Sequence, residues 1–159
     1  ILSQKQSPNL LRRLTTKVKN DVNTPGLFKC NKKNCKLCLL YIQPCKIFVT
    51  SNNVSWHMRR HINCHSKNVI YYLKCDSCHH ATTYIGKTTN LRLRTNNHIS
   101  SCRNGNSCNN FDNHVFRCMG DQNVEPYFQL FAFMKLDNEQ NLLFYENLLQ
   151  CSGYDTLNN

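Results

Sequence analysis

The stretch from Asn68 to His98, NVIYYLKCDSCHHATTYIGKTTNLRLRTNNH, packs two tyrosine-bearing runs, a Cys-x-x-Cys turn and a tail rich in Arg and Asn into one short span. Val69-Ile70-Tyr71-Tyr72-Leu73 and Thr82-Thr83-Tyr84-Ile85-Gly86 are β-branched and aromatic, the composition of a pleated, buried surface, so each reads as a strand. A knuckle at Cys75-Asp76-Ser77-Cys78 joins them, and Gly86 ends the second. Thr88 or Thr89 can cap a helix that begins near Leu91, on which Arg94 and His98 are four apart and share a face. Two tyrosines, an arginine and a histidine are therefore expected to converge beside one sheet.

Around this centre, 159 residues allow one ordinary core with a small appended module and exclude two large domains. The net charge of +11 is unevenly placed. Residues 1–67 carry 13 Lys/Arg against one acid, Asp21, for a net of +12, whereas residues 68–159 carry 7 against 8, for −1. So basic an arm fits a polyanion, nucleic acid first and an anionic membrane surface second. Most of it lacks aromatic residues, which favours phosphate contact over base stacking. No apolar run approaches the roughly 20 residues of a membrane span and the N-terminus lacks a signal-peptide core, so a soluble, non-secreted protein without membrane partners is expected. Ile1 in place of an initiating methionine suggests a piece of something longer.

Eleven cysteines approach the density of a secreted disulfide scaffold. The missing signal, the Cys-x-x-Cys spacings and seven histidines point instead to zinc. Cys30, Cys35 and Cys38 supply three thiols in one window, the last two at the spacing that fits a tetrahedral ion. Cys64 is the expected fourth ligand, with Cys45, His57 and His61 as competitors. The segment His57 to His61 reads equally as a basic surface through Arg59 and Arg60.

Elsewhere, Leu10, Leu11, Leu14 and Val18 recur at helical spacing among Arg12, Arg13, Lys17 and Lys19, predicting a short basic amphipathic helix that Pro25-Gly26 closes. Residues 27–64 have few long apolar runs and are expected to need a metal to hold them. Cys102 to Asn113 reads as a polar loop, His114-Val115-Phe116 as a return to apolar character, and Tyr127 to Met134 as a third, buried strand. Asp137 or Asn138 then caps a helix from about Glu139 to Cys151. Its apolar face is Leu142, Leu143, Tyr145, Leu148 and Leu149, and Glu146 falls angularly between Leu142 and Leu143. A carboxylate aimed at a core needs a metal ion or a cation, with a salt bridge to an arginine such as Arg94 as the plain alternative. The pattern predicts an α+β fold: a small three-stranded antiparallel sheet flanked by helices over 68–159, preceded by a basic zinc-binding extension over 1–67.

With these residues in place, the chain resembles the GIY-YIG nuclease superfamily, and within it the endonuclease domain of Penelope-like retroelements. Val69-Ile70-Tyr71 stands where that family has Gly-Ile-Tyr, Tyr84-Ile85-Gly86 is the second signature intact, and Arg94 follows at the family's spacing. Glu146 and Asn158 complete the set. Val69 departs from the glycine of the first signature, a change that touches no reacting group. The pair Cys75/Cys78 between the signatures resembles that branch's Cys-Cys-His-His zinc motif, which would make His98 and His114 its partners. His79 and His80 are nearer in sequence, but a ligand directly after Cys78 can rarely turn back to the same ion.

The resemblance implies metal-dependent hydrolysis of DNA phosphodiesters, nicking a target to prime reverse transcription. Glu146 would hold one Mg2+ or Mn2+, Tyr71 would take a proton from water directly or through a relay, and Tyr84 would orient phosphate or water. Arg94 would neutralise phosphoryl charge, and Asn158 would position. Lys87, Arg92, Arg12, Arg13, Arg59 and Arg60 are the expected DNA contacts. His98 has rival roles, as zinc ligand or in the catalytic cleft. Zinc, one or two ions, would be structural. A reverse transcriptase and template RNA would accompany the domain, with nuclear localisation. The rival class is a zinc-stabilised nucleic-acid-binding module without catalysis; Glu146 on the apolar face and Arg94 at its offset argue against it.

Overall fold

The computed structural model describes residues 24–50, 53–77, 82–105, 107–120 and 125–151. The expected basic helix over 10–18, Arg12 and Arg13, Cys78 with His79 and His80, and Asn158 lie outside them. The N-terminal part is made of short pieces: β1 (Gly26–Leu27), α1 (Lys36–Leu40), β2 (Ile47–Val49), β3 (Ser55–His57) and β4 (His61–Ile62). There follow β5 (Val69–Cys75), β6 (Thr83–Thr88), α2 (Leu91–Asn104), α3 (Asn110–Met119), β7 (Phe128–Lys135) and α4 (Gln140–Cys151). The fold is α+β, with a three-stranded antiparallel sheet in the order β6-β5-β7.

The central strand β5 is buried along nearly its whole length, which is why VIYYLKC reads as a continuous apolar run rather than an alternation. Its two faces are used differently. Tyr71, Leu73, Tyr84 and Gly86 share one face by register, since Tyr71 pairs with Gly86 and Leu73 with Tyr84. Tyr72 points the other way and meets Phe48 of β2, whose ring also stacks on Phe131 and Phe133 of β7. The short N-terminal elements therefore complete the same apolar core as the sheet, with Leu27, Tyr41, Ile42 and Ile62 fully buried in it. Among the described residues no helix is long and apolar enough to cross a membrane.

Three expectations need correction. Helix α2 starts at Leu91 as read, but Asn90 caps it, its side chain accepting from the Leu93 N–H at 3.1 Å, while Thr88 instead accepts from the Asn90 N–H. The supposed loop before Asn113 holds the start of α3, capped by Asn109. Its only apolar anchors in that half are Phe111 and, one turn on, Val115, so asparagine capping looked like loop composition. The last helix buries a narrower stripe than its periodicity suggested: Leu142 and Leu149 are buried, whereas Leu143 and Leu148 are more than half exposed.

Candidate active site

Tyr71 sits opposite Gly86 on β6 and Ala132 on β7, so the two neighbours on its face carry almost no side chain. A bulge helps: the β5–β7 register shifts between Ile70 and Tyr71, skipping Phe133. The phenol occupies the space this leaves. A Cβ built on Gly86 would stand 2.6 Å from the Tyr71 hydroxyl and 2.6 Å from a Tyr84 ring carbon, closer than carbon contacts allow. Gly86 is thus required by space, not by backbone angle. Gly86→Ala is expected to push both tyrosines out of line, cutting any cleavage activity by about 10²-fold, the cost of a displacement near 1 Å. Overpacking should also lower stability by about 1–3 kcal/mol. Parallel cleavage rates and thermal melts check both.

Helix α2 lays Leu91, Thr95, His98, Ile99 and Cys102 against the sheet and brings Arg94 and His98 over the two tyrosines. Arg94 Nε donates to the Tyr71 hydroxyl at 2.9 Å, and its NH2 group to the Tyr84 hydroxyl at 3.4 Å. The Tyr71 hydroxyl also meets His98 Nε2 at 2.8 Å. Burial pushes the Tyr71 phenol well above its ordinary value and Tyr84 adds to this, while Arg94 works against it. Burial also opposes the Arg94 charge, but the two phenol oxygens more than offset it and the guanidinium stays firmly protonated. Tyr71 is wholly buried, whereas Tyr84, Arg94 and His98 line a cleft of about 340 Å³. The four residues expected to converge do so.

Glu146 is 13% exposed and faces β6 rather than the apolar centre. Its Oε1 accepts from the Lys87 backbone N–H at 3.0 Å and its Oε2 pairs with the Lys87 ammonium at 3.0 Å. The cation it meets is therefore Lys87, not Arg94. Arg94 and Lys87 both line a second hollow, beside Glu139 and Leu142, so the arginine lies between the tyrosine cleft and the Glu146 side.

The N-terminal thiols converge as well. Cys30, Cys35, Cys38 and Cys64 have their sulfurs within 4.8 Å of one another. Parallel pairing of β1 with β4 explains the long-range member: Gly26 pairs with His61 and Leu27 with Ile62, so Cys30 and Cys64 leave the same end of a two-stranded ladder. Tetrahedral zinc with Zn–S bonds near 2.3 Å separates its sulfurs by about 3.8 Å. Cys35 and Cys64 are 4.0 Å apart, and the Cys30 N–H donates to Cys38 Sγ at 3.3 Å, as in a metal knuckle. Burial pushes the Cys35 thiol up, yet the Cys38 N–H, Cys30 and Arg92 outweigh it and leave it at about 6, ready to ligate as thiolate. The set fits zinc. No disulfide joins any of the described cysteines.

Arg92, expected on DNA, turns its guanidinium to Cys35 and Cys64, at 3.5 and 3.6 Å. Arg59 and Arg60 line a basic hollow with Lys67 and Lys135, Arg60 also pairing with Asp137. The second sulfur cluster differs from its expectation. Cys75 is joined by His114 and Cys118, and His98 is not among them. His98 is committed elsewhere: Nε2 to Tyr71 and Nδ1 to Asp112 at 2.7 Å. Cys118 takes its place because His114 and Cys118, four apart on α3, share one face, their Nε2 and Sγ 3.3 Å apart. His-x3-Cys was visible in the sequence, but without a helix there the spacing had no meaning. Asp112 was missed altogether.

A family profile described as the GIY-YIG catalytic domain matches residues 67–149, more than half of the chain. No curated protein and no solved structure matches the chain. The matched span contains Tyr71, Tyr84, Arg94 and Glu146, and its family name indicates a nuclease. The chain belongs to the GIY-YIG family.

Proposed function

We propose that the chain is a metal-dependent DNA endonuclease domain that hydrolyses phosphodiester bonds. The observation that carries this reading is one guanidinium, Arg94, bonded to the hydroxyls of both signature tyrosines at the edge of an open cleft. Arg94 meets charge developing on the phosphoryl oxygens with a planar fork already held in place. Tyr84, at the cleft wall, touches phosphate or the attacking water. Tyr71 lies behind it and receives a proton handed inward.

Glu146 suits Mg2+ or Mn2+: it is a hard oxygen donor, and such ions take one or two carboxylates while keeping several waters. Among the described residues, the flexible, partly exposed ammonium of Lys87 competes for its Oε2. A bound ion would supply charge neutralisation beside the scissile phosphate. Lys87, released from Glu146, is then free to contact a DNA phosphate. Zinc would be structural at Cys30, Cys35, Cys38 and Cys64, and a second ion would suit Cys75, His114 and Cys118 with Cys78, three residues on from Cys75.

The finer reading is a retroelement endonuclease whose nick primes a reverse transcriptase on template RNA in the nucleus. It is supported by the basic cysteine-rich segment before the first signature and by the cysteine pair between the signatures. Arg59 and Arg60, with Arg12 and Arg13, would hold the DNA backbone. The test is supercoiled plasmid incubated with Mg2+. Wild type should relax or linearise it, chelator should stop this, and Glu146→Gln should slow it by at least about 10²-fold. A folded wild type that leaves the plasmid intact with both Mg2+ and Mn2+ overturns the reading.

A further inference from the structure

Tyr71 is a poor final acceptor for a proton. It is fully buried, and burial with Tyr84 beside it disfavours the phenolate. A proton passed to this hydroxyl must therefore leave by another route. Arg94 Nε donates to the hydroxyl oxygen, and the hydroxyl also meets His98 Nε2 at 2.8 Å, to which it can donate. On the far side of that ring, Nδ1 meets Asp112 Oδ1 at 2.7 Å, with both side chains almost completely buried. A carboxylate only accepts, so the ring proton belongs on Nδ1, and Nε2 is left as the acceptor facing Tyr71.

The geometry points to a buried proton relay, Tyr84 to Tyr71 to His98, in which Asp112 is the positioning residue that holds His98 in the accepting tautomer. It deepens the nuclease reading of the cleft and rests on it. Asp112 is itself fixed from three sides: Oδ1 also accepts from the Cys102 thiol at 3.8 Å, and Oδ2 from the Ser107 hydroxyl at 3.1 Å. It sits in the first turn of α3, whose Asn109 cap sets the turn that aims it at α2. Two helices are thus needed to orient one imidazole.

The step balances as follows in atoms. The attacking water forms its O–P bond while the P–O bond to the leaving oxygen breaks. The water proton passes to the Tyr84 oxygen, the Tyr84 proton to Tyr71, whose hydroxyl is held by the same Arg94 guanidinium, and the Tyr71 proton to His98 Nε2. The resulting imidazolium is stabilised by the Asp112 carboxylate. The leaving oxygen takes a proton from solvent, and once product has left, the His98 proton returns along the same hydroxyls, Tyr71 then Tyr84, to the cleft that Tyr84 lines. No phenolate persists in the buried site.

The test uses the whole chain labelled with ¹⁵N-histidine, the His98 signals being assigned by their loss in His98→Gln. In wild type the neutral ring should show its proton on Nδ1 and a bare, hydrogen-bonded Nε2. In Asp112→Asn that signature should shift, and kcat for plasmid cleavage should fall by roughly 10²-fold with KM nearly unchanged, since a relay acts on proton transfer and not on binding. Asp112→Glu should restore part of the rate. A wild-type ring protonated on Nε2, or a folded Asp112→Asn protein cleaving within about threefold of wild type, overturns the relay. Should Asp112→Asn fail to fold, the wild-type tautomer decides alone. Should wild type fold but never cleave, the nuclease reading falls, while the tautomer still decides whether Asp112 sets the ring.

Discussion

Arg94→Ala is expected to lower the rate of DNA cleavage by about 10²–10³-fold with little loss of fold, the scale seen when one preorganised donor is removed from developing charge. The side chain has two jobs. It carries the only guanidinium hydrogen-bonded to the signature tyrosines among the described residues, and it ties their hydroxyls together through Nε and an NH2 group. Removing it would delete the charge proposed to meet the phosphoryl oxygens and free Tyr84 to rotate. The fold should tolerate this because Tyr71 keeps His98 as partner and its ring remains packed. Arg94→Lys separates the jobs: a point charge survives but not the fork, so most of the loss should persist. Single-turnover cleavage measured beside DNA affinity checks this, with affinity changing far less than rate. A rate within threefold of wild type would remove Arg94 from the chemistry.

What could be read from the chain depended on whether chemistry and secondary structure gave the same signal. Tyr71, Tyr84 and Arg94 were legible because strand and helix periods placed them on facing surfaces; β5 and β7 follow the expected runs closely, whereas β6 does not end at Gly86 but runs on to Thr88. Glu146 was half legible: its angular position demanded a cation, but angle alone could not distinguish Arg94 from Lys87 across the edge of β6. Cys64 does come to lie with Cys30, Cys35 and Cys38, for a reason spacing never contained, the parallel pairing of β1 with β4. Asp112 and Cys118 were illegible because both depend on α3, a helix of ten residues whose stability comes from docking on α2 rather than from propensity. Once 110–119 is helical, Asp112 faces His98 and Cys118 joins His114. Read as loop, neither has a direction.

Losing the zinc proposed for the N-terminal cysteines is the second large effect expected, and Cys64→Ser is the cleanest way to cause it. Structural zinc contributes roughly 10–16 kcal/mol to small zinc modules, and a site reduced to three thiols should forfeit several kcal/mol of that. In a chain of this size each 1 kcal/mol moves the melting temperature by about 2–4 °C, so a fall of about 10 °C is expected. Metal analysis should show one zinc fewer per chain. The loss will not stay local. Arg92 Nη1 rests on the sulfurs of Cys35 and Cys64, and it lies on α2 two residues before Arg94. Without thiolates to hold it, the first turn of α2 loses its anchor to the cysteine unit, and Arg94 loses part of its placement over the tyrosines. Cleavage should therefore fall more than the remaining folded fraction accounts for. Arg92→Ala separates the two effects: it should keep the zinc and most of the stability while still lowering the rate. If it lowers neither, the cysteine cluster supports the fold but does not set the catalytic helix.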